Sequence, residues 1–199
     1  MAVTALILYL VWAFLAFGWR TIDQRRRTGD SGLRLHAQPN TAQWWAKIGF
    51  AIAILVGVAA PLAAVAGLDN ITALDATWLH IAGIAVTLIG VLLTFAAQYS
   101  MGESWRIGVD PEERTELVTA GAFRLVRNPI FTAMLITATG FAMIIPNVIS
   151  ILGLGALFVA LEVQVRLVEE PYLRTVQGDE YRAYAQSAGR FAPGIGRIR

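Results

Sequence analysis

Apolar residues occur along this chain in long runs, and charged segments separate them. A helix needs about 20 mostly apolar residues to cross the hydrocarbon core of a bilayer. The runs predict five transmembrane helices, at residues 2–19, 46–68, 78–99, 130–146 and 148–168. The first run lacks a basic leader and a small-residue cleavage site, so we expect a retained helix rather than a signal peptide. The pattern therefore predicts an all-α integral membrane protein that forms one domain over residues 1–199.

The positive charges predict an orientation. All 16 lysines and arginines lie in or beside the first and third connections, or at and after the end of the fifth helix. The second connection, LDNITALDAT, and the turn at Pro146 and Asn147 hold none. Because Lys and Arg accumulate on the cytoplasmic side, we expect an outside amino terminus, a cytoplasmic carboxyl terminus and a location in the plasma (inner) membrane.

Composition narrows the possible chemistry. The chain is 56% hydrophobic and 15% charged, with a mean hydropathy of +0.58, which is typical of a membrane protein. It has no cysteine, so disulfides, thiolate nucleophiles and iron–sulfur clusters are excluded. Its two histidines, His36 and His80, are far apart, which argues against a metal site. A net charge of +2 is too small to indicate a nucleic-acid partner.

The fourth and fifth helices are predicted to form a tight antiparallel hairpin. Pro146 and Asn147 are turn residues between two apolar runs. Both open ends of the hairpin then lie on the same side of the membrane, and both carry polar residues. After Pro171, the stretch YLRTVQGDEYRAYAQSAGRF has charged and apolar residues at helical spacing, which predicts a helix in the membrane interface.

Charged residues mark the end of the fifth helix. Glu162, Arg166 and Glu170 are spaced i, i+4 and i+8, which places them on one face of a regular helix. Each costs about 2.5 to 3.5 kcal/mol at the bilayer centre and less near the ends. One interpretation is a self-neutralising ladder at the interface. The other is a polar pocket, in which Arg166 binds an anionic substrate and Glu170 accepts a hydrogen bond from a cofactor amine or hydroxyl.

The segment GAFRLVRNPIF leads into the fourth helix. Asn128 precedes a proline and so disfavours helix, whereas Pro129 suits the first helical turn. The unpaired backbone donors of that turn could hold a carboxylate, with Arg127 beside them. The alternative is a basic anchor and a plain helix start. The chain has no G-x-G-x-x-G after a strand, so any nucleotide cofactor must bind to the helices and their connections.

Four ordered blocks, MGESWRIG, LVTAGAFRLVRNPIF, EVQVRLVEEPYL and GDEYRAYAQSAGRFAP, resemble the isoprenylcysteine carboxyl methyltransferase family and its phospholipid methyltransferase relatives. The resemblance covers residues 98–193. It implies that residues 98–199 are methyltransferase-like, and it assigns no role to residues 1–97. It also implies S-adenosylmethionine as cofactor, S-adenosylhomocysteine as product, and a lipophilic acceptor with a carboxylate or another oxygen nucleophile.

The resemblance carries site residues over to this chain. It implies the following cofactor-binding positions: Thr115, Glu116, Leu117, Val118, Phe123, Arg127, Asn128, Pro129, Phe131 and Glu170. Arg166 falls on the family arginine that binds the substrate carboxylate, and Glu162 would orient or neutralise the acceptor. Asn128 replaces a family histidine, and Phe123 and Phe131 replace tyrosines. The aromatic faces remain, and each can attract a sulfonium cation by about 0.5 to 2 kcal/mol.

Some alternatives stay open at this stage. The carboxyl-terminal half also resembles sterol-type membrane reductases, for which Arg124 and Arg127 would bind a phosphorylated nicotinamide cofactor. A third possibility is a membrane scaffold or transporter subunit with Glu162 and Arg166 as a structural pair. The acceptor could be a prenylated cysteine, another isoprenoid or a lipid acid. The oligomeric state is also open, since three glycines could pack within the bundle or between chains: Gly57, Gly83 and Gly90.

Overall fold

The computed structural model describes residues 1–110 and 116–198, which form a bundle of five long helices and contain no β-strand. The helices are α1 (Ala2–Thr28), α2 (Ala42–Val65), α3 (Thr77–Ser100), α4 (Pro129–Ile144) and α5 (Val148–Ser187). All but α4 are long and apolar enough to cross a membrane. With 16 residues, α4 is about 24 Å long. The predicted all-α membrane architecture is confirmed, and the protein is a multi-pass membrane protein.

Two helices run further than predicted, and each contains a π-helical turn. The first helix continues past Trp19 to Thr28, with its π turn at Phe14–Trp19. The fifth helix does not stop near residue 168, because a π turn at Val165–Glu169 leads into a further α-helical segment. That segment starts one residue before Pro171, so the proline lies in a first turn, where its missing N–H is tolerated.

The carboxyl-terminal part of α5 changes direction at Gly178. Its φ of 54° and ψ of −122° are not helical, and glycine tolerates a positive φ at little cost. After the bend, the last turns of α5 bury Tyr181 and Tyr184. The tail that follows, residues 188–198, pairs with the start of α4, where the N–H of Arg127 donates to Gly189 O at 2.7 Å.

The predicted hairpin between α4 and α5 is present. Asn147 is fully buried and caps α5, since its Oδ1 accepts from the Ser150 N–H at 2.8 Å. Its Nδ2 donates to Ala60 O on α2 at 3.2 Å. One turn residue therefore satisfies the helix end and also fixes the hairpin against a third helix.

Helices α3 and α4 pack with their backbones almost in contact. A Cβ built on Gly90 would lie 2.6 Å from the Thr137 N, and one on Gly140 would lie 2.5 Å from the Thr87 N. Gly83 faces the Ile144 N in the same way, and Gly57 of α2 faces the ring of Tyr9. The three glycines whose role the sequence leaves open thus pack within the bundle.

This close approach leads to a stability prediction. Gly140→Val should lower the free energy of unfolding by about 1–3 kcal/mol or more, because the new side chain overlaps the backbone of α3. Gly155→Val is the matched control, since a Cβ at Gly155 meets no atom within 4 Å. Thermal unfolding in detergent, followed by circular dichroism, measures both. Equal transition temperatures for the two variants would contradict the close packing.

Candidate active site

A cavity of about 650 Å³ lies at the end of the bundle where α1 leaves the apolar region, α2 and α4 begin and α3 ends. Its volume falls in the range of small-molecule sites, about 300–1,000 Å³. We call this end the basic end, because the arginine-rich connections lie here. The cavity has two halves of different chemistry, and they come from different parts of the chain.

The apolar half is built mainly by the first two helices. Phe17 of α1 and Phe50, Ile54 and Leu55 of α2 line it, together with Met134 of α4. Phe17 and Phe50 pack edge to face, with ring centroids 6.2 Å apart. This half suits a ligand with a hydrocarbon body, since burial of apolar surface stabilises a complex by roughly 25 cal/mol per Å².

The polar half holds most of the residues that the sequence predicts for a cofactor. Nine of them line the cavity: Glu116, Leu117, Val118, Phe123, Arg127, Asn128, Pro129, Phe131 and Glu170. Thr115 lies outside the described residues. Segments separated by more than 50 residues in sequence thus meet around one space. Their proposed contact with a cofactor remains a prediction.

Arg127 is the most heavily bonded side chain of this half. Its side chain is 2% exposed, and its Nη2 donates to Glu170 Oε1 at 2.8 Å. Its other contacts are backbone carbonyls near the carboxyl terminus: those of Ala185, Ala188 and Gly196, at 3.1, 2.7 and 3.0 Å. The guanidinium therefore ties α4, α5 and the tail together.

Glu170 lies among three arginines. Its Oε1 accepts from Arg127 and from the Nε of Arg190 at 2.7 Å, whereas its Oε2 has a longer contact of 3.2 Å to Arg190 Nη2. Arg174 lies 3.7 Å from the same Oε2. The hydrogen bonds to Glu170 raise the pKa of Arg190 above its ordinary value, so this arginine remains charged. Since each carboxylate oxygen accepts about two hydrogen bonds, Oε2 keeps capacity for a ligand donor.

The start of α4 also contributes to the cavity. Asn128 uses its side chain to donate to Arg190 O at 3.1 Å, and its backbone N–H donates to the same carbonyl at 3.2 Å. Pro129 has no N–H. The N–H groups of Ile130 and Phe131 pair with no described backbone acceptor, as is usual in a first turn. Both residues line the cavity, so these donors can take part in binding an anion.

The structure does not bring Glu162 and Arg166 into this cavity. They form an ion pair with each other, and the Arg166 side chain is 56% exposed. Neither is among the described residues that line the cavity. The π turn explains the separation, because each extra residue rotates a helix by about 100°. It carries Glu170 to the cavity side of α5 while Arg166 stays on the outer face.

Sequence reasoning missed several residues of the cavity wall. Lys47, Arg106 and Glu169 line it, and Gln164 donates to Glu169 Oε1 at 3.0 Å. In the sequence analysis, Lys47 and Arg106 served only to predict the orientation of the chain in the membrane. For Glu169, the signal was its position beside Glu162, Arg166 and Glu170 on one face of a regular helix, but no role was assigned to it.

Comparisons with known proteins agree with the predicted resemblance. The family model for phospholipid methyltransferase matches residues 78–180, just over half of the chain. The chain is similar to protein-S-isoprenylcysteine O-methyltransferase A of Arabidopsis thaliana, with 28% identity over 118 residues, which are 58% of this chain and 60% of that protein. It is also similar to protein-S-isoprenylcysteine O-methyltransferase B of the same plant, with 28% identity over 111 residues, which are 55% of this chain and 56% of that protein. A probable protein-S-isoprenylcysteine O-methyltransferase of Oryza sativa subsp. indica is 29% identical over 115 residues, which are 57% of this chain and 60% of that protein. The chain spans about three fifths of the length of these relatives.

Proposed function

The chain belongs to the phospholipid methyltransferase family, and from this premise we propose that it transfers a methyl group from S-adenosylmethionine to a lipophilic acceptor at the membrane surface. The observation that carries the proposal is one cavity in which residues of the family-matched region adjoin an apolar half. The acceptor class is a lipid-like or isoprenoid molecule with a carboxylate or another oxygen nucleophile. The matched relatives are named for isoprenylcysteine, which makes a prenylated cysteine the first acceptor to test.

The residues present suit S-adenosylmethionine, which supplies a methyl group on a positively charged sulfur. The aromatic faces of Phe123 and Phe131 can lie against a cation. Glu170 Oε2 can accept from an amine or a ribose hydroxyl, and the free N–H groups of Ile130 and Phe131 can bind a carboxylate. These groups therefore provide partners for the sulfonium, for an amine or a ribose hydroxyl, and for the carboxylate.

The protein's part in the reaction is mainly one of positioning. Methyl transfer from a sulfonium is an in-line displacement in which the leaving group becomes neutral, so a carboxylate acceptor needs alignment rather than a strong base. The apolar half would hold the acceptor's hydrocarbon part and keep water away from both reactants. The polar half would fix the cofactor through Glu170 and the first turn of α4.

The proposed site faces the cytoplasm. This follows from the positive-inside rule, since the cavity lies at the basic end of the bundle. A water-soluble cofactor would then enter from the cytosol and the acceptor from the bilayer. Both the family match and the named relatives favour methyl transfer over the sterol-type reductase that the sequence also resembles.

A direct experiment tests the function. The purified protein in detergent should bind radiolabelled S-adenosylmethionine. It should then pass the labelled methyl group to at least one lipophilic probe among S-farnesylcysteine, a long-chain fatty acid and a lipophilic phenol. If the cofactor binds but its label passes to none of the probes, the chain binds the cofactor without transferring the methyl group to this acceptor class. An absence of cofactor binding would overturn the proposal.

The role of Arg166 as acceptor anchor remains a prediction of the resemblance. Arg166→Ala should leave cofactor affinity unchanged, because the guanidinium lies outside the cavity and bonds to Glu162. The resemblance predicts that the same variant abolishes methyl transfer. Arg182→Ala is the control, since Arg182 is also exposed and pairs with an acid, Asp179, on its own helix. Transfer at the control's rate would remove Arg166 from the site, and an equal loss of cofactor binding and transfer would show that its role is wrongly assigned.

A further inference from the structure

One wall of the cavity is a loop that other parts of the chain hold by its backbone. We call residues 102–109, which follow α3, the wall loop. Trp105, Ile107 and Val109 line the cavity from this loop, next to the apolar half. Trp105 and Val109 are buried, whereas Ile107 is partly exposed.

Helix α1 holds the beginning of the wall loop. The guanidinium of Arg20 donates to Gly102 O at 2.8 Å, and Gln24 donates to Glu103 O at 2.7 Å. Arg20 is 1% exposed, and its guanidinium carbon lies 4.8 Å from the ring centroid of Trp105 and 5.2 Å from that of Tyr99. The cation thus contacts both the backbone of the loop and one of its lining side chains.

Helix α2 and the segment before it hold the end of the wall loop. Gln43 donates to Val109 O, and the backbone of Ile107 pairs with Gly32 and Arg34 through two hydrogen bonds of 2.8 Å. Lys47 fixes that pairing segment in turn, because its Nζ donates to Arg34 O and His36 O at 2.6 Å each.

These contacts share a pattern. Arg20, Gln24, Gln43 and Lys47 all precede residue 78, where the family match begins, and all four donate to backbone carbonyls of the wall loop or of the segment paired with it. Burying a cation costs desolvation free energy, and apolar residues of similar volume often join two elements at no loss of stability. Hydrogen bonds to backbone carbonyls instead fix the path of the wall loop's backbone.

We propose that these four side chains are positioning residues that hold the wall loop against the apolar half, and that the loop thereby determines which acceptor the cavity takes. The inference rests on the proposed function. It gives the first two helices the role of selecting an acceptor with an apolar body, while the polar half of the cavity binds the cofactor. Cofactor affinity and acceptor affinity are then separable by mutation.

Steady-state kinetics with S-farnesylcysteine test this separation. Arg20→Met and Gln43→Leu should each raise the KM for the acceptor tenfold or more, with the Kd for S-adenosylmethionine changed less than twofold. Arg20→Lys, which keeps the charge but loses the planar fork, should recover only part of the loss. Arg26→Met is the control, because Arg26 is exposed on the same helix.

The outcomes distinguish this proposal from the one beneath it. An unchanged acceptor KM in folded Arg20→Met and Gln43→Leu proteins overturns the role of the wall loop while leaving the methyltransferase proposal intact. A parallel loss of cofactor affinity shows a merely structural role and also overturns it. A wild-type protein that binds no cofactor overturns the proposed function itself.

A binding measurement covers the case in which Arg20→Met does not fold. The chain has no native cysteine, so Ile107→Cys places a single thiol on the wall loop. S-farnesylcysteine should slow maleimide labelling of this thiol at least fivefold, whereas S-adenosylmethionine should not. Leu125→Cys, an exposed position outside the cavity lining, is the control. If S-farnesylcysteine does not change the labelling rate at position 107, the proposal is overturned.

Discussion

Glu170→Ala should weaken the binding of S-adenosylmethionine by about tenfold to a hundredfold, which corresponds to roughly 1.5–3 kcal/mol for hydrogen bonds to a charged group. The carboxylate lies in the cavity wall, and its Oε2 retains accepting capacity. Without it, Arg127 and Arg190 face each other with no intervening negative charge, so the polar half should also lose its shape. Isothermal titration calorimetry in detergent measures the affinity.

Two further proteins complete this experiment. Glu180→Ala removes an exposed carboxylate from the same helix and should bind the cofactor normally. Glu170→Gln keeps the shape and one accepting oxygen, so its affinity should fall between those of the wild type and the alanine variant. Unchanged affinity in Glu170→Ala would reject Glu170 as a cofactor residue.

Arg127→Met should have the largest effect on the folded protein. Leaving a buried polar group without one of its hydrogen bonds costs about 1–3 kcal/mol. Here three carbonyls of the carboxyl-terminal region each lose a hydrogen bond at once, and Glu170 loses one donor while it keeps Arg190. The tail should detach from α4, and carboxypeptidase should then digest it at least tenfold faster than in the wild type.

The neighbouring Arg124 provides the control. It is exposed in the same segment, and Arg124→Met should leave digestion and thermal stability unchanged. Arg127→Lys should rescue little, since a point charge cannot reach four acceptors as the guanidinium does. A tail that stays protected in a folded Arg127→Met protein would show that Arg127 does not hold it in place.

The helices were largely predictable because the bilayer sets their length and composition. The runs located α2 to α4 to within a few residues. The ends of α1 and α5 were not predictable, since the sequence gives no signal for a π turn. The π turn at Val165–Glu169 also explains why Glu170, which shares a face with Glu162 and Arg166 in a regular helix, separates from that pair in the structure.

The polar half of the cavity was predictable from ordered motifs, and the internal bonding was not. Arg127 and Asn128 were expected to face a ligand, yet both donate to the carboxyl-terminal tail. Their partners are backbone carbonyls, which leave no signature in a sequence. The same reason hides Arg20 and Lys47, whose positive charges are already explained by membrane orientation.

The carbonyl contacts of Arg127 have an evolutionary consequence. Every residue type offers the same carbonyl oxygen, so the tail can change most of its side chains without loosening its attachment. Gly189 is an exception, because a Cβ there would lie 2.9 Å from both the Gly194 N and the Ile195 O. In descendants of this sequence, most positions of the tail should therefore vary. Gly189 and Arg127, which donates to the backbone carbonyls, should be retained.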